Sequence, residues 1–252
     1  MERLDGTVAM VTGASSGFGE AIARALASYG AAVALVARRR DRLEELAAAI
    51  EQRAGKALVI CADITQRSEA IGAVEQTVDR FGRIDTVVNN AGVMFVDPVE
   101  HALLEEWDRM LAVNVNGLLN VAHASLSHLL EAAELEPRRV ADMVNISSVA
   151  GIKTGAGVSV YSLTKYGVGA FSESLRQEVA GRHVRVSVLE PGSAKTELRT
   201  HMRAAVQARG HTRASVERLE AEDVADAVAY VVTRPRRIAV NEVVIRPTEQ
   251  QD

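Results

Sequence analysis

Three side chains in the second half of the chain have the types and the spacing that suit proton transfer. Tyr161 and Lys165 stand four residues apart, and Ser148 lies thirteen residues before the tyrosine. On a helix, positions i and i+4 share one face, so the phenol and the ammonium can point at the same place. A serine hydroxyl could then hydrogen-bond a substrate oxygen while the tyrosine moves its proton. The pattern predicts chemistry on an alcohol or a carbonyl group.

The tyrosine needs a lowered pKa if it is to act as a base near neutrality. A free phenol titrates near pH 10, and a shift of about three units corresponds to about 4 kcal/mol. A cation about 4 Å away supplies a comparable energy at an effective dielectric constant of about 20. We therefore expect Lys165, helped by a second positive charge, to lower the pKa of Tyr161. The neighbouring Tyr166 has no lysine four residues further on, and we expect it to pack.

A glycine-rich loop near the N-terminus lies between a predicted strand and a predicted helix. The strand is Thr7–Val11, the loop is Thr12–Gly19, and the helix is Glu20–Tyr29, with Gly30 at its end. A dinucleotide-binding loop requires this order of elements. The alternative is an ordinary glycine-rich turn.

The glycines of this loop have separate expected roles. Gly13 permits the tight turn, Gly17 lets the backbone approach a pyrophosphate, and Gly19 lets the helix pack close to the strand. The free N–H groups and the positive dipole end of the helix favour a bound phosphate.

The second predicted strand, Ala32–Ala37, indicates which dinucleotide the loop binds. An acidic side chain at its end would hold the ribose hydroxyls of NAD, but Ala37 is followed by the basic run Arg38–Arg40. A guanidinium can grip a 2′-phosphate through two hydrogen bonds, so Arg38 favours NADP(H) over NAD(H). The alternatives are that the arginines only solvate the next helix, or that Asp41 turns toward a ribose.

The motifs in the two halves of the chain together resemble those of the short-chain dehydrogenase/reductase family. The resemblance extends from Thr7 to about Thr196, and the motifs follow the order of the family. Besides the glycine loop and the Tyr-x-x-x-Lys pair, the matching segments are Asp63-Ile64, Asn89-Asn90-Ala91-Gly92, Asn114, Pro191-Gly192 and Thr196.

The resemblance implies a complete set of site residues. The catalytic residues would be Asn114, Ser148, Tyr161 and Lys165. The coenzyme would contact Gly13, Ser15, Ser16, Gly17, Phe18, Gly19, Arg38, Arg39, Asp63, Ile64, Asn90, Ala91, Gly92, Tyr161, Lys165, Pro191, Gly192 and Thr196. No metal is expected, because the histidines show no metal-ligand spacing.

Two of these residues also have simpler explanations. By resemblance, Asp63 accepts from the adenine amino group while Ile64 donates its backbone N–H; the alternative for Asp63 is a helix N-cap. Asn90 would tie two strands together near the coenzyme ribose; the alternative is a turn residue.

Two more assignments required a choice between neighbours. Asn114 stands at the family spacing of twenty-four from Asn90, which selects it over Asn116 and Asn120. By resemblance it kinks a long helix and binds a water that passes protons to the lysine. The family spacing also selects Ser148 over Ser147. Because adjacent strand residues face opposite sides, we expect Ser147 to lie behind the site or in the core.

The implied reaction is hydride transfer between NADPH and a small carbonyl compound. Ser148 would hold the oxygen, Tyr161 would give the proton, and Lys165 would bind the nicotinamide ribose. Two other functions fit the same fold: a non-catalytic NADP-binding regulator, and an epimerase or dehydratase that keeps its coenzyme. A regulator typically lacks the tyrosine or the lysine, and both are present here.

The alternation of elements predicts an α/β fold. Short strands such as Lys56–Cys61, Thr86–Val88 and Val184–Leu189 alternate with helical segments such as Glu69–Phe81. This indicates a single Rossmann-like, doubly wound parallel sheet with helices on both faces. No linker divides the chain, so we expect residues 1–252 to form one domain.

Composition excludes several classes of function. A net charge of −4 gives no support for nucleic-acid binding. No apolar run is long enough to span a membrane and the start is not signal-like, so we expect a cytoplasmic protein. The single cysteine, Cys61, excludes an internal disulfide. The resemblance implies a homodimer or a homotetramer.

The resemblance implies a flap over the substrate at about residues 193–219, where we expect information on the substrate. It is rich in basic residues, which would attract an acidic substrate or would only form a solvated face: Arg199, His201, Arg203, Arg209, His211, Arg213 and Arg218. The C-terminal segment Val240–Thr248 resembles that of NADP-dependent 3-hydroxy-acid and serine dehydrogenases, and that of the clavaldehyde-reducing enzyme of clavulanate biosynthesis.

Overall fold

The computed structural model describes residues 1–198 and 217–251. Within these residues, seven parallel strands form one sheet in the order β3-β2-β1-β4-β5-β6-β7. The strands are β1 (Val8–Thr12), β2 (Ala32–Ala37), β3 (Lys56–Cys61), β4 (Thr86–Asn89), β5 (Ala141–Ile146), β6 (Val184–Pro191) and β7 (Glu242–Ile245). The order reverses direction between β1 and β4, which creates a crevice at their carboxyl ends.

Apolar, β-branched residues form the central strands because both faces of the sheet are covered. Every residue of β1, β4, β5 and β6 is buried. By contrast, the last strand β7 lies at the edge of the sheet and alternates between exposed and half-buried residues.

Helices cover the two faces of the sheet. They are α1 (Gly17–Ser28), α2 (Arg40–Glu51), α3 (Arg67–Phe81), α4 (Leu104–Met110), α5 (Leu118–Ala132), α6 (Ser159–Val179) and α7 (Ala221–Val232). Residues of α1, α2 and α7 contribute to the core on one face. Residues of α3, α5 and α6 contribute to the core on the other. The predicted doubly wound α/β fold is confirmed.

None of the helices formed by residues 1–198 and 217–251 has the length and apolarity needed to cross a membrane.

Candidate active site

A large cavity lies at the carboxyl ends of the strands, where a doubly wound sheet binds its ligands. Its volume is about 1760 Å³. This is larger than the roughly 300–1,000 Å³ of a typical small-molecule pocket, so a coenzyme and a substrate have room together. The predicted residues that line it are Gly13, Ser15, Ser16, Gly17, Phe18, Arg38, Arg39, Asp63, Ile64, Asn90, Ala91, Gly92, Ser148, Tyr161, Lys165, Pro191, Gly192 and Thr196. Gly19 and Asn114 are buried next to the cavity wall.

Helix α6 presents Tyr161 and Lys165 on one buried face, as their spacing predicts. Each side chain is only 6% exposed. The Ser148 hydroxyl, two residues beyond the end of β5, faces the phenol of Tyr161 and favours its ionised form. The same hydroxyl accepts from the backbone N–H of Ala150 at 3.1 Å, which fixes its direction. The three groups thus meet at one wall of the cavity.

The prediction that the pKa of Tyr161 is lowered is wrong for the protein without its coenzyme. Burial raises the pKa of Tyr161 to about 12, and the nearby Ser148 hydroxyl offsets only part of this. Burial also lowers the pKa of Lys165 to about 8. The ammonium lies 5.8 Å from the centre of the phenol ring and donates to the carbonyl oxygen of Ile146 at 2.8 Å. Desolvation therefore outweighs the cation, because it acts on both groups at once.

This raised pKa leads to a prediction for the coenzyme-free protein. We expect wild type and Tyr161→Phe to show the same phenolate absorbance at pH 10, because Tyr161 stays protonated until the pH approaches about 12. The folded pKa lies above the ordinary value of 10.0, so the stability that Tyr161 contributes is present below pH 10 and is lost between about pH 10 and 12. An ultraviolet pH titration tests this. If wild type showed the absorbance of one more phenolate than Tyr161→Phe at pH 10, the prediction would be wrong.

Asn114 lies where a long helix changes its winding. Residues Leu111–Gly117 form a π-helical segment between α4 and α5. Such segments are rare and often occur at functional sites. The Asn114 side chain accepts from the backbone N–H of Val93 at 2.8 Å and donates to its carbonyl oxygen at 2.9 Å. It also donates to the Thr164 hydroxyl at 3.2 Å. The amide thus ties the loop after β4 to helix α6 beside the tyrosine.

The two adjacent serines after β5 face different surroundings. Ser147 is buried, and its hydroxyl donates to the backbone carbonyl oxygen of Lys165 at 3.2 Å. Ser148 is half-buried and faces the phenol. Both serines nevertheless line the cavity. The alternation of side chains along the strand therefore gives the two hydroxyls different partners, but it does not remove Ser147 from the cavity wall.

Two glycines of the glycine loop are packed so tightly that side chains would not fit. A Cβ on Gly19 would lie 2.3 Å from the carbonyl oxygen of Gly13. Gly13 has a φ of +65°, and a Cβ there would lie 2.9 Å from the side-chain nitrogen of Asn90. Asn90 donates to the carbonyl oxygen of Thr12 at 2.9 Å, which joins the end of β4 to the loop. These close contacts require residues without a Cβ at Gly13 and Gly19.

The sequence reasoning missed the role of Thr12. Its hydroxyl accepts from the backbone N–H groups of Asn90 and Ala91 at 3.0 and 3.2 Å. It belongs to the Thr-Gly start of the glycine motif, which could have identified it.

Asp63 does not cap a helix. Its carboxylate accepts from the backbone N–H and the hydroxyl of Thr65, at 3.0 and 2.8 Å. The N-cap of α3 is instead Gln66. Asn120, another residue that the sequence reasoning missed, donates to the carbonyl oxygen of Ile64 at 3.0 Å. This contact holds the Asp63-Ile64 turn against α5, at the wall of the cavity.

The two arginines after β2 differ in their contacts. Arg38 is exposed, and its backbone carbonyl oxygen accepts from the thiol of Cys61 at 3.2 Å. Arg39 instead folds back over the glycine loop, where its guanidinium donates to the Ser16 hydroxyl at 2.7 Å. A positive charge thus lies at the mouth of the loop, but it belongs to the second arginine.

The far end of the cavity includes the C-terminal segment of the chain. Gln250 accepts from the backbone N–H of Ser193 at 2.8 Å, and a Cβ on Gly192 would lie 2.3 Å from the same amide oxygen. Nothing in the local sequence identifies Gln250, because it comes close to Gly192 only through the fold. Of the predicted basic flap, Arg218 lines the cavity, whereas Arg199, His201, Arg203, Arg209, His211 and Arg213 lie outside the described residues.

Comparison with known proteins points to one family. Residues 7–207 match the family model of short chain dehydrogenases. An uncharacterized oxidoreductase of Staphylococcus epidermidis is 37% identical over 247 residues, which cover 98% of this chain and 100% of that protein.

Some solved structures with the same fold carry nicotinamide coenzymes. An alcohol dehydrogenase from the archaeon Thermococcus sibiricus, complexed with 5-hydroxy-NADP, has a TM-score of 0.86 and 28% identity over 98% of each chain. A 3-ketoacyl-(acyl-carrier-protein) reductase from Brucella melitensis, complexed with NADH, has a TM-score of 0.83 and 29% identity over 97% of this chain and 98% of its own.

Proposed function

Because the chain belongs to the short-chain dehydrogenase family, we propose that it is an NADP(H)-dependent oxidoreductase that interconverts a small-molecule carbonyl compound and its alcohol. One observation carries the proposal: the phenol of Tyr161 and the hydroxyl of Ser148 line the same cavity as the glycine loop.

The residues around the cavity suit a nicotinamide dinucleotide. The coenzyme, when bound, supplies or accepts the hydride. The loop from Gly13 to Gly19, with the N-terminus of α1, would hold its pyrophosphate. Asp63 and Ile64 would face the adenine. Asn90, Ala91, Gly92, Lys165, Pro191, Gly192 and Thr196 would face the nicotinamide half.

The raised pKa of Tyr161 suits the reductive direction. Because burial keeps the phenol protonated across the neutral range, it is ready to give a proton to a carbonyl oxygen that gains negative charge. Ser148 would donate a hydrogen bond to the same oxygen. Lys165 would remain an ammonium below a pH of about 8 and return a proton to the phenol.

In the oxidative direction the phenol must first lose its proton. A pKa of about 12 makes this costly in the protein alone. The ammonium of Lys165 and the positive charge of an oxidised nicotinamide would together favour the phenolate. Oxidation should therefore depend more strongly on pH than reduction does.

The preference for NADP(H) rests on charge. Arg38 and Arg39 follow β2, and the end of β2 carries no acidic side chain for a ribose diol. A solved relative binds 5-hydroxy-NADP, although another binds NADH. The guanidinium of Arg39 already lies at the mouth of the loop, so we take it as a partner for a 2′-phosphate.

The other functions that fit the fold have less support. A purely regulatory NADP-binding role would leave the set Asn114, Ser148, Tyr161 and Lys165 without a task. Residues 1–252 as one domain, a cytoplasmic location, a homodimer or homotetramer, and the 3-hydroxy-acid and serine dehydrogenase subgroup stay predictions.

An assay of NADPH oxidation against aldehydes, ketones and keto acids tests the proposal. We expect NADPH consumption that depends on the carbonyl compound and matches the alcohol formed. Binding of NADPH without turnover on any substrate would favour a regulator. A changed product without net NADPH consumption would favour an epimerase or a dehydratase.

A further inference from the structure

Arg39 makes a cluster of contacts at the mouth of the glycine loop. Its Nε atom donates to the Ser15 hydroxyl at 3.2 Å. One terminal nitrogen lies 2.7 Å from the Ser16 hydroxyl, 3.2 Å from the Ser15 carbonyl oxygen and 3.0 Å from a carboxylate oxygen of Glu197. The guanidinium is thus held by the loop on one side and by an acidic side chain on the other.

Glu197 approaches this cluster from a distant part of the chain. It directly follows Thr196, in the segment that leaves β6, and is 158 residues from Arg39. The hydrogen bond from Arg39 is the main reason that the pKa of Glu197 lies below its ordinary value, and the Ser16 hydroxyl adds to this effect. A guanidinium and a hydroxyl therefore converge on one carboxylate.

The Arg39 guanidinium and the Ser16 hydroxyl form an anion-binding site. Ser16 is the N-cap of α1, and its side chain caps no backbone N–H of that helix, so the hydroxyl is available to an outside acceptor. The guanidinium favours a charged acceptor. The carboxylate of Glu197 occupies this anion-binding site in the protein without its coenzyme.

We propose that Glu197 competes with the 2′-phosphate of the coenzyme for Arg39 and Ser16, and so sets how strongly the protein distinguishes NADP(H) from NAD(H). This inference rests on the proposed function and adds a specificity-determining residue to it. A 2′-phosphate can take the contacts to the guanidinium only after the carboxylate has moved away. A coenzyme without this phosphate leaves the ion pair in place.

The expected effect on 2′-phosphate binding depends on how exposed the ion pair between Arg39 and Glu197 is. The Arg39 and Glu197 side chains are 44% and 48% exposed. Half-exposed ion pairs contribute little, so removing the competitor should strengthen binding of a 2′-phosphate by about three- to fivefold. Binding of the same nucleotide without the phosphate should not change.

Calorimetric titration with adenosine 2′,5′-bisphosphate and adenosine 5′-monophosphate tests this without turnover. The two probes differ only in the 2′-phosphate. We expect Glu197→Gln to bind the bisphosphate about three- to fivefold more tightly and the monophosphate as wild type does. We expect Arg39→Gln to lose most of the difference between the two probes.

Glu44→Gln is the matched control. Glu44 pairs with Arg40 at 3.7 Å, and both side chains are exposed on α2. Loss of this ion pair removes the same charge from the protein but leaves Arg39 untouched. The control should bind both nucleotides as wild type does, which separates the local contact from a general change in charge.

The outcomes separate the two proposals. Equal affinities for the bisphosphate in wild type, Glu197→Gln and Glu197→Ala would overturn the competition while leaving the coenzyme site intact. Weaker binding of the monophosphate in both Glu197 variants would also overturn it, because the carboxylate would then hold the ribose hydroxyls. A wild-type protein that binds neither nucleotide would overturn the proposed function itself.

Discussion

Replacing Tyr161 with Phe is expected to slow carbonyl reduction by about 10²- to 10⁴-fold, the usual contribution of a general acid. The substitution removes only the hydroxyl and keeps the ring in its buried cluster with Val93 and Met110. NADPH binding should stay close to wild type, because the contacts of the glycine loop are unchanged. Stopped-flow measurement of the hydride-transfer step and a fluorescence titration of NADPH provide the two readouts.

Tyr166→Phe on the same helix is the matched control. Tyr166 is exposed, and its hydroxyl hydrogen-bonds the carbonyl oxygen of Ile152. This variant loses a phenol hydroxyl from α6 but none from the cavity, so it should reduce carbonyl compounds at a rate near wild type. If the two variants lost equal activity, or if Tyr161→Phe kept full activity, Tyr161 would not be the proton donor.

Asp142→Ala is expected to lower the free energy of unfolding by about 3–5 kcal/mol, because it leaves buried guanidinium groups without their anion. Asp142 lies in β5 and is fully buried. Arg185 in β6 donates to both of its carboxylate oxygens, at 2.7 and 2.9 Å, and Arg138 donates to one of them at 3.2 Å. The side chains of both arginines are about 95% buried, at 6% and 5% exposure.

Urea denaturation measures this effect. Asp142→Asn keeps the shape of the side chain and provides a value if the alanine variant does not fold. Glu173→Gln, which breaks the exposed ion pair with Arg176 at 2.7 Å, should change the unfolding free energy far less. A loss for Asp142→Ala no larger than that for Glu173→Gln would show that the buried guanidinium groups find other anions or water.

Local sequence patterns predicted the elements of the sheet well. The bounds of β2 and β3 agree with the prediction, because each is an apolar or β-branched run with clear ends. Helix α1 begins at Gly17, whereas the sequence predicted Glu20. Glycine is a poor helix former, so propensity assigns it to the loop. In the fold, Gly19 lies against the backbone of Gly13, where only a residue without a Cβ fits.

Strands β4 and β6 extend further than predicted, because tertiary contacts again override local propensity. The sequence predicted that they end at Val88 and Leu189, but they continue to Asn89 and Pro191. Asn89 donates to the side chain of Asn145 in the neighbouring strand at 2.8 Å, and Pro191 pairs with Ile245. Polar residues and proline are weak strand formers on their own, so these partners from distant sequence decide the ends.

The residue types and their order along the chain determined the fold class, the glycine loop, and the shared helix face of Tyr161 and Lys165. Helical and strand periods are local, so one sequence suffices to recognise them. Two properties of the site depended on tertiary structure. The pKa of Tyr161 is raised because residues distant in sequence exclude water from the phenol. The partner of Arg39 is Glu197, which only the folding of the whole sheet brings within hydrogen-bonding distance of the glycine loop.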